Sequence, residues 1–104
     1  MFKRIKGKGI VETEEGFSVQ PLSYLTGLKF TRGDKAYFID SELQAGAPTT
    51  VVVWEKSIRT WEGENPAVTG KPVDETTRKE IIEGIRRALE WEGTLIEVGK
   101  PFPF

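Results

Sequence analysis

The dipeptide Trp-Glu occurs three times in this chain, as Trp54-Glu55, Trp61-Glu62 and Trp91-Glu92. Carboxylates beside indoles are the residue types of an aromatic, acidic pocket for a cation or a sugar: a ring face attracts positive charge, and paired carboxylates can cleave a glycosidic bond. A plainer role competes with that chemistry, since large aromatics dominate the cores of small domains and glutamate is common. Much of the catalytic repertoire is missing. The sequence holds no histidine and no cysteine, which removes the commonest general acid/base, the usual partner of a serine or cysteine nucleophile, disulfides and thiolate-bound metals. A carboxylate-only hydrolase and a Mg²⁺ or Ca²⁺ site are the chemistries left open. No catalytic constellation occurs between Val51 and Val98, and the chain is read as a non-enzyme with no cofactor and no metal.

Binding chemistry leaves fainter marks. Lys3, Arg4, Lys6 and Lys8 make the start of the chain basic, and Glu12, Glu14 and Glu15 follow as an acidic cluster. With Phe17, Phe30 and Tyr37 on strands, the basic residues suggest a sheet that stacks single-stranded bases. Against this, 15 Lys and Arg balance 16 Asp and Glu for a net charge of -1, which provides no global field to draw in nucleic acid. A solvated strand and hairpin tip is the simpler reading. Gly7 and Gly9 lack the strand-to-helix context of a phosphate loop, and Arg32-Gly33-Asp34, although it matches an integrin-recognition tripeptide, suits a plain turn.

The elements that must position these residues are legible from periodicity. At 104 residues, 38% hydrophobic and 30% charged, the chain is read as one ordinary globular domain, residues 1–104. Gly9 to Thr13 and Gly16 to Val19 flank Glu14-Glu15-Gly16 as a β-hairpin, which Pro21 ends or confines to an edge. Leu28-Lys29-Phe30 and Lys35 to Ile39 form a second hairpin about the turn at Thr31 to Asp34. The apolar run Val51-Val52-Val53 after Thr49-Thr50 predicts a central strand covered on both faces, the spine of the sheet. Glu62 to Pro72 reads as an exposed loop. A helix starts at Asp74, whose carboxylate can cap the first turn, and Gly93 stops it. Ile81, Ile82, Ile85 and Leu89 make its buried stripe, while Glu75 with Lys79 and Glu83 with Arg87 sit four apart on the exposed side. Thr94 to Val98 is the last strand. The expected fold is α+β: an antiparallel β-sheet of about five to six strands, one long C-terminal helix packed on one face, then a final short strand.

Trp91 lies on the flank of the helix near Gly84 and Ala88, which leave room for Trp91 itself, the C-terminal tail or a second subunit. Trp91, Phe102 and Phe104 are therefore the candidate oligomer contacts, and burying one phenylalanine would contribute about 1.5 to 3 kcal/mol. No signal peptide pattern and no membrane-length apolar run occur, so the expected compartment is the cytoplasm and no membrane partner is expected.

One segment resembles a known family. Trp54, Lys56, Ser57, Ile58, Trp61 and Glu62, followed by Val73, Lys79, Ile81 and Ile82 and then Leu95, Ile96 and Val98, are similar in order and type to immunity protein family 74 of the bacterial polymorphic-toxin systems. The upstream Asp40-Ser41-Glu42-Leu43 is similar too. The chain departs from the family in having Trp54-Glu55-Lys56 in place of its commoner tyrosine-lysine pair and Gly63-Glu64-Asn65-Pro66 after Trp61-Glu62 in place of Pro-Pro; the first hairpin and the Pro-Phe-Pro-Phe tail look like additions. The resemblance implies a protein that binds a toxin domain and blocks it without chemistry of its own. The partner-contact candidates are Glu55, Arg59, Trp61, Glu62 and Glu64, at the exit of the central strand and beside the exposed loop. For Trp61 the competing role is a core residue that closes one end of the sheet. The alternative functions are a homo-oligomeric accessory protein from a mobile gene pool and a single-stranded nucleic-acid-binding β-sheet domain.

Overall fold

The computed structural model describes residues 2–5, 10–13, 16–22, 27–44, 46 and 49–99. Strands β1 (Phe2–Ile5), β2 (Ile10–Thr13) and β3 (Phe17–Pro21) run antiparallel in sequence order, and β4 (Leu28–Arg32) and β5 (Lys35–Ile39) continue the sheet. Both expected hairpins are present. Pro21, opposite Leu28, is the last paired residue of β3, as a residue without an N–H should be. Alternation does the sorting: Phe17, Val19, Leu28, Phe30, Tyr37 and Ile39 face one side and are buried, while Ser18, Gln20, Lys29 and Thr31 face the other and are half-buried.

At Asp40 the chain leaves this sheet. Strand β6 (Ser41–Gln44) pairs antiparallel with β7 (Thr50–Trp54), a single 3₁₀ turn (Glu55–Ser57) follows, and β8 (Arg59–Thr60) returns to pair with β5. A one-turn helix α1 (Pro66–Thr69), a long helix α2 (Glu75–Trp91) and β9 (Leu95–Gly99) complete the described chain. The result is α+β, with a six-stranded antiparallel sheet in the order β1-β2-β3-β4-β5-β8 and a three-stranded sheet in the order β6-β7-β9. Two features go beyond the expected fold. The strands divide between two sheets, and β9 runs parallel to β7, because the crossover through α2 brings the chain back in the same direction. Val51, Val52 and Val53 are all buried, as a strand covered on both faces requires, but β7 is the spine of the smaller sheet only.

Ser57 ties the two sheets together. Its hydroxyl accepts from Asp40 N–H at 2.9 Å and donates to Trp54 O at 2.6 Å, while Trp54 N–H donates to Asp40 O at 3.0 Å. Two of the three places where the described chain changes sheet are thus pinned by one buried side chain. Asp40 beside it is partly desolvated, and burial pushes its carboxyl above the ordinary aspartate value against the lowering bond from Ser41, with Glu42 nearby adding to the rise.

Helix α2 starts as expected, with the Asp74 carboxylate accepting from Thr77 N–H at 2.7 Å. Ile81, Ile82, Ile85 and Leu89 are buried, and so are Gly84 and Ala88. A Cβ on Gly84 would stand 2.8 Å from Phe30 Cε2, so among the described residues the space at this small residue is taken by the sheet's own aromatics. Glu75 pairs with Lys79 at 3.1 Å as its spacing predicts, whereas Glu83 pairs with Arg86, one residue earlier than expected. One hydrophobic cluster joins both sheets and α2. Phe17, Phe30 and Tyr37 lie inside it, with ring centroids of 5.4 Å and 6.4 Å for the successive pairs. They are covered, and cannot serve as a stacking platform for bases.

Candidate functional site

The outer face of the large sheet, opposite α2, is where the chain exposes an organised aromatic. Phe38 projects there from β5 and is nonetheless only 3% exposed. Trp61 provides part of its cover, with ring centroids 6.4 Å apart and planes at 58°. The backbone fixes the indole: Trp61 N–H donates to Ala36 O at 2.9 Å, just beyond the short pairing of β8 with β5. Lys29, opposite Phe38 in the β4–β5 register, places its Nζ 4.6 Å from the centre of the Trp61 ring, a cation–π contact. Trp61 is half-buried. It covers part of Phe38 on this face and still presents part of its own ring.

The segment after Trp61 is strapped to the same corner. Thr60 Oγ1 donates to Glu62 Oε2 at 2.6 Å and accepts from Lys71 N–H at 2.9 Å, and Thr60 N–H donates to Lys71 O at 2.8 Å. Thr69 Oγ1 donates to the carbonyls of Glu62 and Asn65. Helix α1, begun by the buried Pro66, corrects the expectation of a plain loop here. Gly70 follows it in close contact with Thr60 O and Pro66 O, where a Cβ would collide with both carbonyls. These bonds convert a polar, glycine- and proline-rich stretch into a structured rim.

The five contact candidates therefore separate. Arg59, opposite Phe38, spends one guanidinium bond on Gly70 O at 3.3 Å. Trp61 and Glu62 lie beside it, and Glu64 is exposed on the same segment. Glu55 turns the other way. It is 8% exposed, and its Oε1 lies 3.8 Å from Arg78 Nε beneath α2. Glu55 also lines a cleft of about 340 Å³ with Lys79, Ile82, Glu83, Arg86 and Val98, so its carboxylate belongs to the helix side of the molecule. Lys29 and Phe38, which complete the Trp61 site, are absent from the candidates. The available signal was the strict alternation of Leu28-Lys29-Phe30, which puts Lys29 on the outer face.

The three Trp-Glu dipeptides do not converge on one pocket. Trp54 packs on Gly99 of β9, Trp61 on Phe38, and Trp91 stands 47% exposed at the end of α2. Phe102 and Phe104 lie outside the described residues. Among the described residues, no three His, Cys, Asp or Glu side chains come together as a group that could hold a metal ion, and no helix is long and apolar enough to cross a membrane. The fold and site define an α+β domain with a braced, half-exposed tryptophan on an otherwise polar sheet face. Comparison with protein-family models, curated proteins and solved structures finds no match to this chain.

Proposed function

We propose that this chain is a non-enzymatic protein-binding module, an immunity protein that binds a bacterial toxin domain and blocks it, with Trp61 as the anchor of the contact. One observation carries the reading: Trp61 is only partly buried yet held by Ala36 O, the Phe38 ring and Lys29. An aromatic already fixed in place loses little conformational freedom on association, and tryptophan is among the residue types most enriched at the energetic centres of interfaces. Glu62, Glu64 and Arg59 supply a charged rim, which steers approach and selects partners. The similarity of the Ser57-Ile58-x-x-Trp61-Glu62 segment to immunity protein family 74 supports the same class of partner. The cytoplasm is the compartment proposed for the encounter.

A second reading, a homo-oligomeric accessory protein, is favoured by Leu43, 70% exposed on a sheet edge. The first reading is tested by capture from lysate of the source cells with the tagged chain, followed by binding kinetics. One stoichiometric polypeptide is expected, and Glu64→Lys should slow its association several-fold with no change in melting temperature. Retention of nucleic acid alone, or an association rate indifferent to Glu64→Lys, would overturn it. Glu64 is a cleaner probe than Glu62, whose carboxylate also holds Thr60.

A further inference from the structure

Strand β6 has a partner on one side only among the described strands. Its outward edge can be assigned from register. Trp54 N–H bonds Asp40 O, and Ser41 is opposite Val53, Glu42 opposite Val52 and Gln44 opposite Thr50. Hydrogen-bonded and non-bonded pairs alternate along an antiparallel ladder, so Glu42 and Gln44 direct their backbone groups toward β7. Ser41 and Leu43 direct theirs away from it. Beside this edge lies an open apolar groove of about 370 Å³, lined by Leu22, Leu28, Leu43, Val51 and Leu89 among others.

Natural sheets blunt such edges with lysine, proline, extreme shortness or a bulge. Of the other described edges, β8 is two residues long, and β9 borders the charged cleft of Lys79, Glu83 and Arg86. Strand β6, Ser-Glu-Leu-Gln, has neither lysine nor proline and carries one charge, Glu42, on the face away from Leu43. It presents instead a leucine that is 70% exposed.

We propose that the β6 edge is a contact surface for a second copy of this chain, the two β6 strands pairing antiparallel about a two-fold axis at Leu43. The sequence of β6 is self-complementary in that register. Leu43 meets Leu43 of the other copy as a mutually hydrogen-bonded pair, using the backbone groups that point outward, and both side chains lie on the groove face. Glu42 falls opposite Gln44 on the other face, a carboxylate against an amide donor, and the two Glu42 carboxylates are not directly apposed. Sliding the register by one residue would set Leu43 against Glu42 and move the incoming leucine off the groove. The paired strands would join two three-stranded sheets into one of six. The contact is small beside a standard interface, so the dimer forms with rising concentration. It uses a different edge from the Trp61 corner and is independent of the toxin-binding reading.

Because the chain has no cysteine, single cysteines report the pairing directly. Opposed residues of a bonded antiparallel pair have Cα atoms about 5.5 Å apart, within disulfide reach, whereas diagonal neighbours at about 7 to 8 Å are not. Purified Leu43→Cys should form a covalent dimer under mild oxidation at least tenfold faster than Glu42→Cys or the exposed control Leu95→Cys. In light scattering, the wild-type chain should dimerise as concentration rises, and Leu43→Lys should weaken that association tenfold or more with an unchanged thermal melt. Equal cross-linking rates for the three cysteines, a monomer at high micromolar concentration, or a dimer indifferent to Leu43→Lys would each overturn the proposal.

Discussion

The two faces of the β4–β5 hairpin are covered in different ways. On the inner face, Phe30, Tyr37 and Ile39 lie under a 17-residue helix that brings its own isoleucine stripe. On the outer face, Phe38 is sheltered in part by Trp61, itself half exposed, with Lys29 over the indole and Arg59 alongside. The inner face buries apolar side chains on both of its layers and is where the stability of the domain resides. The outer face buries one aromatic under another that remains partly wet, which leaves surplus apolar surface for a partner. In the proposed reading, recognition uses the side of these strands opposite the one that holds the core.

The sharpest break of that division comes from inside. Ile85 is fully buried between α2 and the sheet, and Ile85→Ala should cost about 2 to 5 kcal/mol in equilibrium unfolding, the range for emptying a packed core position. Partner affinity per folded molecule should not change. A smaller effect is expected at the start of α2, where Asp74→Ala should lower the melting temperature by a few degrees through loss of the cap. Bonds from the Thr77 hydroxyl and N–H hold the Asp74 carboxyl below its ordinary value. A depressed carboxylate stabilises the fold above the unfolded-state pKa of about 3.9, and that contribution is lost as pH falls through the lower folded value. The difference between wild type and Asp74→Ala should therefore be constant near neutrality and shrink below about pH 4. Asp40 carries the opposite sign, since its raised pKa favours the folded state in acid and costs stability as pH rises through the folded value.

Features built from near neighbours were legible in the sequence. The two hairpins, the Asp74 cap and the Ile81-Ile82-Ile85-Leu89 stripe each depend on periodicity within a few residues, and each is present. Features that depend on distant pairing were not. The chain's departure from one sheet at Asp40 turns on Ser57, seventeen positions away, and the parallel pairing of β7 with β9 needs the whole α2 crossover. Helix α1 was hidden because Glu62 to Pro72 is polar, and its order comes from Thr60, Thr69 and Lys71 bonding back across the segment. The site was half legible for the same reason. Arg59, Trp61, Glu62 and Glu64 lie within six positions of one another and were grouped as candidates together, while Lys29 reaches Trp61 only through the β4–β5 and β5–β8 registers. Glu55 was misplaced because a 3₁₀ turn, with no periodic signature over three residues, rotates it beneath α2.

In the proposed reading, Trp61 serves recognition more than folding. Its most direct test is to measure unfolding and partner binding on the same preparation of Trp61→Ala, using the polypeptide captured from lysate. The account predicts a domain that still unfolds cooperatively, destabilised by about 1 to 3 kcal/mol through uncovering Phe38, with binding weakened by at least about 2 kcal/mol, the magnitude of an interface hot spot. An unfolded variant, or a folded one that binds its partner as tightly as the wild type, would contradict it.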